Sequence, residues 1–195
     1  MNSKWTSGFM IAAFGVVMAA PVIADEGYYI AIGAGTTEAD DTCDELVGVG
    51  FAGSCDDRDR GWKVVGGYQI DENFGVEVFY ADLGKADAVG TIGATPATAD
   101  VDLDGFGVSL TGTLPLTEQL SLLGRVGMYR WDANGSASLG AVSVSANDDG
   151  TDLTYGVGIQ YSFTDHLGLR VEWERFEEVA DDDVQLISAS VVWAF

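Results

Sequence analysis

The chain has 195 residues, of which 31 are acidic and nine are lysine or arginine, so its formal net charge is −22. Such acidity argues against nucleic-acid binding, because that binding depends on basic side chains that neutralise phosphates. Aromatic residues make up 11% of the chain and recur at regular intervals, which favours a folded protein over an acidic disordered chain.

The amino-terminal 24 residues differ from the rest of the chain. A single charge, Lys4, precedes an apolar stretch, and small residues precede Asp25. A basic start, a short apolar core and small residues at its end are typical of a secretory signal peptide, here cleaved after Ala24. The alternative, an uncleaved membrane-anchoring helix, is disfavoured because the apolar core is short and Pro21 interrupts it. The signal peptide is therefore predicted over residues 1–24 and the mature domain over residues 25–195.

The mature chain alternates between strand-like runs and polar connections. Eight strands are predicted, over residues 28–36, 60–70, 74–84, 101–114, 119–131, 153–163, 167–178 and 184–195. Three connections are short, at 71–73, 115–118 and 164–166, and four are longer or strongly polar, at 37–59, 85–100, 132–150 and 179–183. This asymmetry is typical of an up-and-down barrel with short periplasmic turns and longer outer loops. No mature stretch approaches the ~18 uncharged apolar residues of a spanning helix, so a membrane would be crossed by strands.

Each predicted strand has one apolar face and one small or polar face. The apolar set is Tyr28, Ile30, Ile32, Trp62, Val64, Tyr68, Ile70, Phe74, Val76, Val78, Tyr80, Phe106, Val108, Leu110, Leu114, Leu120, Leu122, Val126, Met128, Leu153, Tyr155, Val157, Ile159, Tyr161, Phe163, Leu167, Leu169, Val171 and Trp173. A soluble lipocalin-like barrel would carry its apolar residues inside and its polar residues outside. Charges in the middle of the second face favour instead a membrane barrel with lipid against the first face.

The polar face contains a balanced group of charges. Its members are Lys63, Arg125 and Arg170 with Glu77, Glu172 and Glu174. Unpaired ions in a narrow interior are unfavourable, so ion pairing across the lumen is expected. Eight strands leave room for little beyond side chains, which favours a static plug over a gate.

Aromatic residues cluster toward the strand ends, as expected where amphipathic rings meet lipid headgroups. The predicted outer girdle is Trp62, Tyr80, Trp131 and Trp173. Just beyond it, Arg60, Arg130 and Arg175 share the lipid-facing phase. Our hypothesis is that these arginines contact lipopolysaccharide phosphates, since a guanidinium group suits phosphate. The alternative is that they balance the acidic loops.

Cys43 and Cys55 are the only cysteines, and both lie in the first long loop. In an exported protein an even pair this close predicts a disulfide. Closing so short a loop contributes ~3 kcal/mol by the chain-entropy model. A metal site is a poor alternative because no histidine or third cysteine accompanies the pair, and no cofactor is predicted.

The last twelve residues form the closing strand, with Ile187, Val191, Trp193 and Phe195 on one face. This strand resembles the final strand of small outer-membrane β-barrels of Gram-negative bacteria, which ends in a terminal Phe after alternating apolar residues. The resemblance to the OmpA-type transmembrane domain covers essentially the whole mature chain. It implies an all-β fold, an eight-stranded antiparallel up-and-down transmembrane β-barrel in the bacterial outer membrane. It also implies a charged lumenal network that plugs the barrel, and Trp193 and Phe195 as an assembly signal for the barrel-assembly machinery.

No enzymatic function is predicted. The sole histidine, His166, lies in a predicted periplasmic turn, so Ser/His/Asp chemistry lacks its base. The acidic runs at 56–57, 148–149 and 181–183 are interpreted as solvated surface, with divalent-cation binding as a weaker alternative. The predicted function is structural or interactive, supporting envelope integrity or adhesion to an extracellular ligand through acidic loops. The alternative is a narrow ion channel gated by the lumenal charges.

Overall fold

A computed structural model describes residues 27–39, 51–56, 58–179 and 182–195. The predicted signal peptide over residues 1–24 lies outside the described residues, as does Cys43. None of the described segments contains a helix long and apolar enough to cross a membrane.

The described residues form antiparallel β-strands joined mostly by tight turns. The strands are β1 (Gly27–Ala39), β2 (Phe51–Asp56), β3 (Arg58–Gln69), β4 (Phe74–Ile92), β5 (Thr95–Pro115), β6 (Leu120–Leu139), β7 (Val142–Ser162), β8 (Leu167–Val179) and β9 (Asp182–Ala194). Their order in the sheet is β2-β4-β3-β1-β9-β8-β7-β6-β5, and a further β4–β5 pairing closes the ring. Leaving out β2, the remaining eight strands make a closed antiparallel barrel, which confirms the predicted fold class.

The two faces of the wall have the predicted polarity. Lipid-phase side chains such as Tyr28, Val78 and Leu110 are 69%, 60% and 62% exposed on the outside, whereas Lys63 and Glu77 are buried in the lumen. Strand residues alternate between the two faces of a sheet, so one set of side chains on each barrel strand points outward and the other points into the lumen. An apolar exterior around a polar interior is the reverse of a soluble barrel.

The three short turns share one hydrogen-bonding arrangement. Asp71, Thr117 and Thr164 each open a turn with a side-chain oxygen that accepts backbone N–H groups two and three residues further on. In the first turn both hydrogen bonds to Asp71 Oδ1 are 2.8 Å long. Such side-chain turns satisfy backbone donors that the strands leave free. The start of β1 and the end of β9 lie at this same end of the barrel, since Tyr29 of β1 pairs with Ala194 of β9. We call it the turn end.

The prediction of loops over residues 85–100 and 132–150 is wrong, because β-strands run through both segments. β4 continues to Ile92 and β5 begins at Thr95, while β6 continues to Leu139 and β7 begins at Val142. The two-residue turns between them each begin with a glycine in the left-handed region, Gly93 at φ 64° and Gly140 at φ 61°. A Gly-X pair between β-forming runs is a hairpin signal. Both turns read Gly-Ala, so the sequence carried this signal.

These extensions form a sheet that stands beyond the barrel at the end opposite the turn end. Here β4 pairs with β2 instead of β3, and β7 has no pairing with β8 before Thr154 among the described residues. We call this five-stranded region, ordered β2-β4-β5-β6-β7, the raised sheet. It consists of residues 51–56, 85–92, 95–102, 134–139 and 142–147.

Candidate functional site

The structure brings the six predicted lumenal charges together. Lys63 comes from β3, Glu77 from β4, Arg125 from β6, and Arg170, Glu172 and Glu174 from β8. All six side chains are at most 3% exposed. Three cations and three anions balance, so the buried group carries no net formal charge.

Lys63 holds the two β8 carboxylates. Its Nζ lies 2.6 Å from Glu172 Oε2 and also donates to Glu174 Oε2. Glu172 and Glu174 are two residues apart on one strand, so both point into the lumen. A single ammonium group therefore bridges two neighbouring carboxylates that would otherwise repel one another.

The two arginines complete the network. Arg125 Nη1 lies 2.7 Å from Glu174 Oε1, and Arg125 Nη2 lies 3.5 Å from Glu77 Oε2. Arg170 Nη1 donates to Glu77 Oε1 over 2.7 Å. Because each carboxylate faces at least one cation, no member of this group is a lone buried ion.

Neutral side chains anchor the network to the wall. The Tyr29 hydroxyl donates to Glu77 Oε1 over 2.6 Å. Arg125 Nη2 donates to Ser109 Oγ, and Arg170 Nε donates to Gln160 Oε1, both over 2.9 Å. These contacts hold Glu77, Arg125 and Arg170 each from a second strand.

An aromatic layer lies above the ionic network, toward the raised sheet. The Phe79 and Tyr129 rings stack with centroids 5.9 Å apart, and Phe176 meets Tyr129 edge-on at 4.9 Å. Tyr129 and Phe176 are 1% and 0% exposed, and Leu186 and Trp131 belong to the same buried cluster. We call Phe79, Tyr129, Trp131, Phe176 and Leu186 the aromatic cap. The lumen is therefore filled at two successive levels, one ionic and one apolar.

The aromatic cap was not predicted from the sequence, although its phase was visible. Phe79, Tyr129 and Phe176 lie an even number of residues from Glu77, Arg125 and Glu174 on the same strands, so they share the lumenal face. Trp131 also has this phase. Its prediction as a member of the outer girdle is wrong, because the side chain is 5% exposed and lies inside. Apolar residues inside a membrane barrel were not expected.

Two glycines make room for the rings that cross the lumen. A Cβ on Gly67 would overlap the ring of Tyr29, and a Cβ on Gly107 would overlap the ring of Phe79. Small residues opposite large ones let the interior of a narrow barrel close without voids. These glycines therefore position Tyr29 and Phe79.

The structure does not gather the three arginines of the lipopolysaccharide hypothesis. Arg130 Nη2 lies 2.9 Å from Asp149, and Arg175 Nη2 lies 2.6 Å from Asp183. Arg60 is exposed on β3 and forms no ion pair within the described part of the chain. Two of the three thus have acidic partners, as the alternative interpretation requires, and the lipopolysaccharide contact stays a prediction.

The remaining predicted sites lie far from the network. Cys55 is in β2 and is not a free thiol, but Cys43 lies outside the described residues, so their pairing stays a prediction. His166 lies at the turn end, with Nδ1 3.1 Å from the Ala194 carbonyl oxygen and its ring stacked on Trp193. Trp193 and Phe195 face outward, and their role in assembly stays a prediction.

A row of aspartates crosses four strands just above the outer girdle. Asp82 pairs with Asp104, Asp104 with Asp132, and Asp132 with Asp149, all directly opposite one another. Girdle side chains bind two of them: the Tyr80 hydroxyl donates to Asp104 and Trp62 Nε1 donates to Asp82. Within the described residues no three acidic, histidine or cysteine side chains are arranged to hold a metal ion.

A closed antiparallel barrel with an apolar exterior and a paired ionic interior defines a transmembrane protein of the Gram-negative outer membrane. The family model described as outer membrane protein beta-barrel domain matches residues 9–195, so the chain belongs to that family. The sequence is similar to outer membrane protein A of Salmonella typhi, at 28% identity over 155 residues, which cover 73% of this chain and 42% of that protein. A second relative is outer membrane protein A of Klebsiella pneumoniae, at 28% identity over 60% of this chain and 33% of that protein. The OmpA-type resemblance is thereby confirmed, and the chain spans less than half the length of these relatives.

Solved structures share the fold at low sequence identity. Ail of Yersinia pestis superimposes with a TM-score of 0.59 at 18% identity, covering 88% of this chain and 100% of that protein. OprG of Pseudomonas aeruginosa superimposes with a TM-score of 0.56 at 12% identity, covering 88% of this chain and 99% of that protein. At these identities the likeness concerns the barrel alone. All four of these proteins are outer-membrane proteins, and the absence of enzymatic activity in this chain stays a prediction.

Proposed function

We propose that this protein is a non-conducting barrel that acts through its raised sheet, in envelope integrity or in adhesin-like surface interaction. The observation that supports this proposal is the filled lumen. The ionic network and the aromatic cap lie in series, and Lys63, Glu174, Tyr129 and Phe176 are each at most 1% exposed. A continuous water path would require both levels to rearrange.

The outer face of the raised sheet suggests the kind of partner. Asp87 lies directly opposite Asp100, and Lys85 opposite Asp102, with Lys85 Nζ 2.6 Å from Asp102 Oδ1. One lysine among three aspartates leaves this region of the face acidic, and the aspartate row below it adds more negative charge. A concentrated field of one sign attracts partners of the other sign. The proposed partner is therefore a cationic surface or protein.

One structural neighbour has been solved with a ligand of the opposite charge. Ail is the attachment invasion locus protein of Yersinia pestis, and it has been solved in complex with the heparin analogue sucrose octasulfate. That ligand is a polyanion. The acidic outer face of the raised sheet here would repel such a ligand, so a role in attachment would use the opposite charge.

The test is attachment of whole cells that express the protein to polylysine-coated beads. Changing Asp87, Asp100 and Asp132 together to Asn should reduce attachment, because all three lie on or beside the outer face of the raised sheet. The matched control changes Glu72→Gln, Glu118→Gln and Asp165→Asn, which removes three charges in the turns at the opposite end. Equal attachment by both triple variants and the unaltered protein would refute the cationic-partner proposal.

The alternative function is a narrow ion channel gated by the lumenal charges. The six buried charged side chains support this alternative. Planar-bilayer recording separates the two functions. The proposal predicts no reproducible openings for the unaltered protein. Openings whose conductance changes with Arg125→Gln or Glu77→Gln would establish the channel instead.

Contact with lipopolysaccharide phosphate remains part of the proposal, and it now centres on Arg60. Arg130 and Arg175 already face Asp149 and Asp183. Arg60→Gln should therefore weaken binding of purified lipopolysaccharide more than Arg130→Gln does. Unchanged binding after neutralising all three arginines would remove the idea.

A further inference from the structure

The raised sheet reverses the polarity of the barrel wall below it. Apart from Cys55 of β2 and Thr95 of β5, its inner face, which continues the lumenal side of the wall, carries hydrocarbon side chains. These are Phe51, Ala88, Ile92, Ala97, Ala99, Ala137, Leu139, Val142, Val144 and Ala146, which the strand pairings place in register with one another. Its outer face carries aspartate, asparagine, serine and threonine, together with Lys85 and the exposed Val89. In the membrane the wall is apolar outside and polar inside, and in the raised sheet it is polar outside and apolar inside.

A β-bulge sets this reversal on β4. The register of β4 against β5 shifts between Asp82 and Gly84, and Gly84 has a φ of 80°. An extra residue in one strand exchanges the faces of everything that follows it. As a result Ala86 and Ala88 face inward and Asp87 faces outward. Without the bulge the charges of β4 would lie on the inner face.

A cavity of about 210 Å³ lies against the inner face, near the tip of the raised sheet. Its wall includes Phe51, Ile92, Ala97, Leu139, Val142 and Val144, and no described residue that lines it is charged. Leu139, Val142 and Val144 are 45%, 66% and 62% exposed. Leu139 is eight residues beyond Trp131, roughly 26 Å along the strand. Clustered apolar side chains of this kind, raised away from the barrel, mark a binding surface.

The charges around the cavity and the extent of its apolar surface indicate what kind of ligand it binds. A cationic ligand would find no carboxylate in the described lining, and an anionic ligand would approach a sheet whose other face carries Asp87, Asp100 and Asp102. The apolar surface also continues downward through Val101 and Leu103, which pack against the buried cluster that contains the aromatic cap. It ends there, because the cap fills the lumen. The site therefore suits a neutral ligand that binds and is not conducted.

We propose that this cavity binds an uncharged apolar small molecule, such as a one-ring or two-ring aromatic hydrocarbon or a short alkyl chain. An apolar cavity of about 150 Å³ binds benzene, so a cavity of about 210 Å³ suits a ligand of one or two rings. This site is separate from the acidic outer face in the proposed function, so either can fail without the other.

The test uses naphthalene as the probe and the full chain in lipid nanodiscs, with methyl groups observed by NMR. Methyl signals of Ile92, Leu139 and Val144 should shift and saturate as naphthalene is added. Those of lipid-facing Val157 and Ile159 should shift in proportion to concentration, because naphthalene dissolves in lipid without a defined site. Absence of saturation at the cavity methyls would overturn the proposal.

Variants on the two faces of one strand sharpen the test. Val144→Asp should weaken saturable binding by at least about tenfold, because it places a charge in an apolar site. The matched control Ser145→Asp adds the same charge to the outer face and should leave binding unchanged. Equal weakening by both would overturn the proposal. Leu139→Asn, which should also weaken binding, serves if Val144→Asp does not fold.

Other occupants of the inner face give distinct results. Contacts between methyls of Leu46, Val47 or Val49 and Leu139 that naphthalene does not displace would show that the chain covers this face itself. Shifts at Val142 and Val144 that depend on protein concentration alone would show pairing of two copies. Either result would overturn the proposal.

Discussion

Arg125 lies against the face of Phe79, with its guanidinium carbon 4.6 Å from the ring centroid. The same ring stacks on Tyr129, so this contact joins the ionic network to the aromatic cap. A cation over an aromatic face contributes about 0.5–2 kcal/mol, with the larger values at desolvated sites. The two levels therefore form one packed plug, and a change in either affects the other.

Lys63→Met should destabilise the barrel strongly. Lys63 bridges Glu172 and Glu174, whose side chains are 1% and 0% exposed. Removing the ammonium group leaves the buried group with two cations for three anions, and breaking a buried ion pair in this way costs about 3–5 kcal/mol. The measurement is the free energy of unfolding in urea, with the protein in lipid vesicles and tryptophan fluorescence as the signal.

The control for this change is Lys85→Met on the raised sheet. Lys85 pairs with Asp102, but the two side chains are 56% and 39% exposed. Exposed pairs contribute about 0–1 kcal/mol, so a small effect is expected. Adding Glu174→Gln to Lys63→Met should recover part of the loss. Similar losses for Lys63→Met and Lys85→Met would contradict the assignment of Lys63 to a tight buried network.

Gly67→Ala should destabilise the barrel by about 1–3 kcal/mol, the usual effect of overpacking. The new methyl group would overlap the ring of Tyr29, which must then move away from Glu77. Gly112→Ala is the matched change on the lipid face, where a Cβ meets nothing within 4 Å. It should be neutral or stabilising by up to about 1 kcal/mol. The measurement is the free energy of unfolding of both variants in urea. No loss of stability in Gly67→Ala would show that Tyr29 is loosely held.

Sequence alone predicted the elements that depend on local pattern. Period-two alternation placed Lys63, Glu77 and Arg125 in the lumen, and the short connections gave the order of the eight strands. The partners within the lumenal ion pairs could not be predicted, because Lys63 and Glu172 are 109 residues apart and meet only when the barrel closes. The aromatic cap was missed because only polar residues were expected on the lumenal face.

The raised sheet was missed for a different reason. Residues 85–100 and 132–150 are rich in Ala, Gly, Ser and Thr, a composition typical of loops. The bulge at Gly84 also changes the phase of β4, so Lys85 and Asp87 fall in the lumenal phase when β4 is counted from Glu77. Only the pairing with β5 shows that these charges face outward.

Glu178→Gly should stabilise the barrel by about 1 kcal/mol. Glu178 has a φ of 52°, in the left-handed region that is unfavourable for residues with a Cβ. It lies where the register of β8 against β9 shifts between Phe176 and Val179. Glycine adopts this conformation without strain and keeps the backbone N–H that donates to Asp183. Thermal or urea unfolding measures the gain.

Glu177→Gly is the matched control for that change. Glu177 is the preceding residue of β8 and does not have a positive φ. Glycine there only adds freedom to the unfolded chain, so a loss of about 0.5–1 kcal/mol is expected. If both glycine variants lose stability equally, the conformation of Glu178 is not strained.

The free energy of unfolding should decrease at acid pH, because Asp183 loses its contact between β8 and β9 when it is protonated. The backbone N–H of Glu178 and the Arg175 guanidinium both donate to this carboxylate and hold its pKa below the usual value of 3.8. Because the folded-state pKa is the lower one, the contribution is complete above the unfolded-state pKa and is lost as pH falls through the folded-state value. Asp183→Asn should therefore flatten the dependence of the unfolding free energy on pH in the acid range. The control Asp165→Asn removes a carboxyl at the turn end without touching this contact. It should leave unchanged the part of the pH dependence of the unfolding free energy that Asp183 causes. A slope unchanged by Asp183→Asn would show that the carboxylate contributes nothing to acid sensitivity.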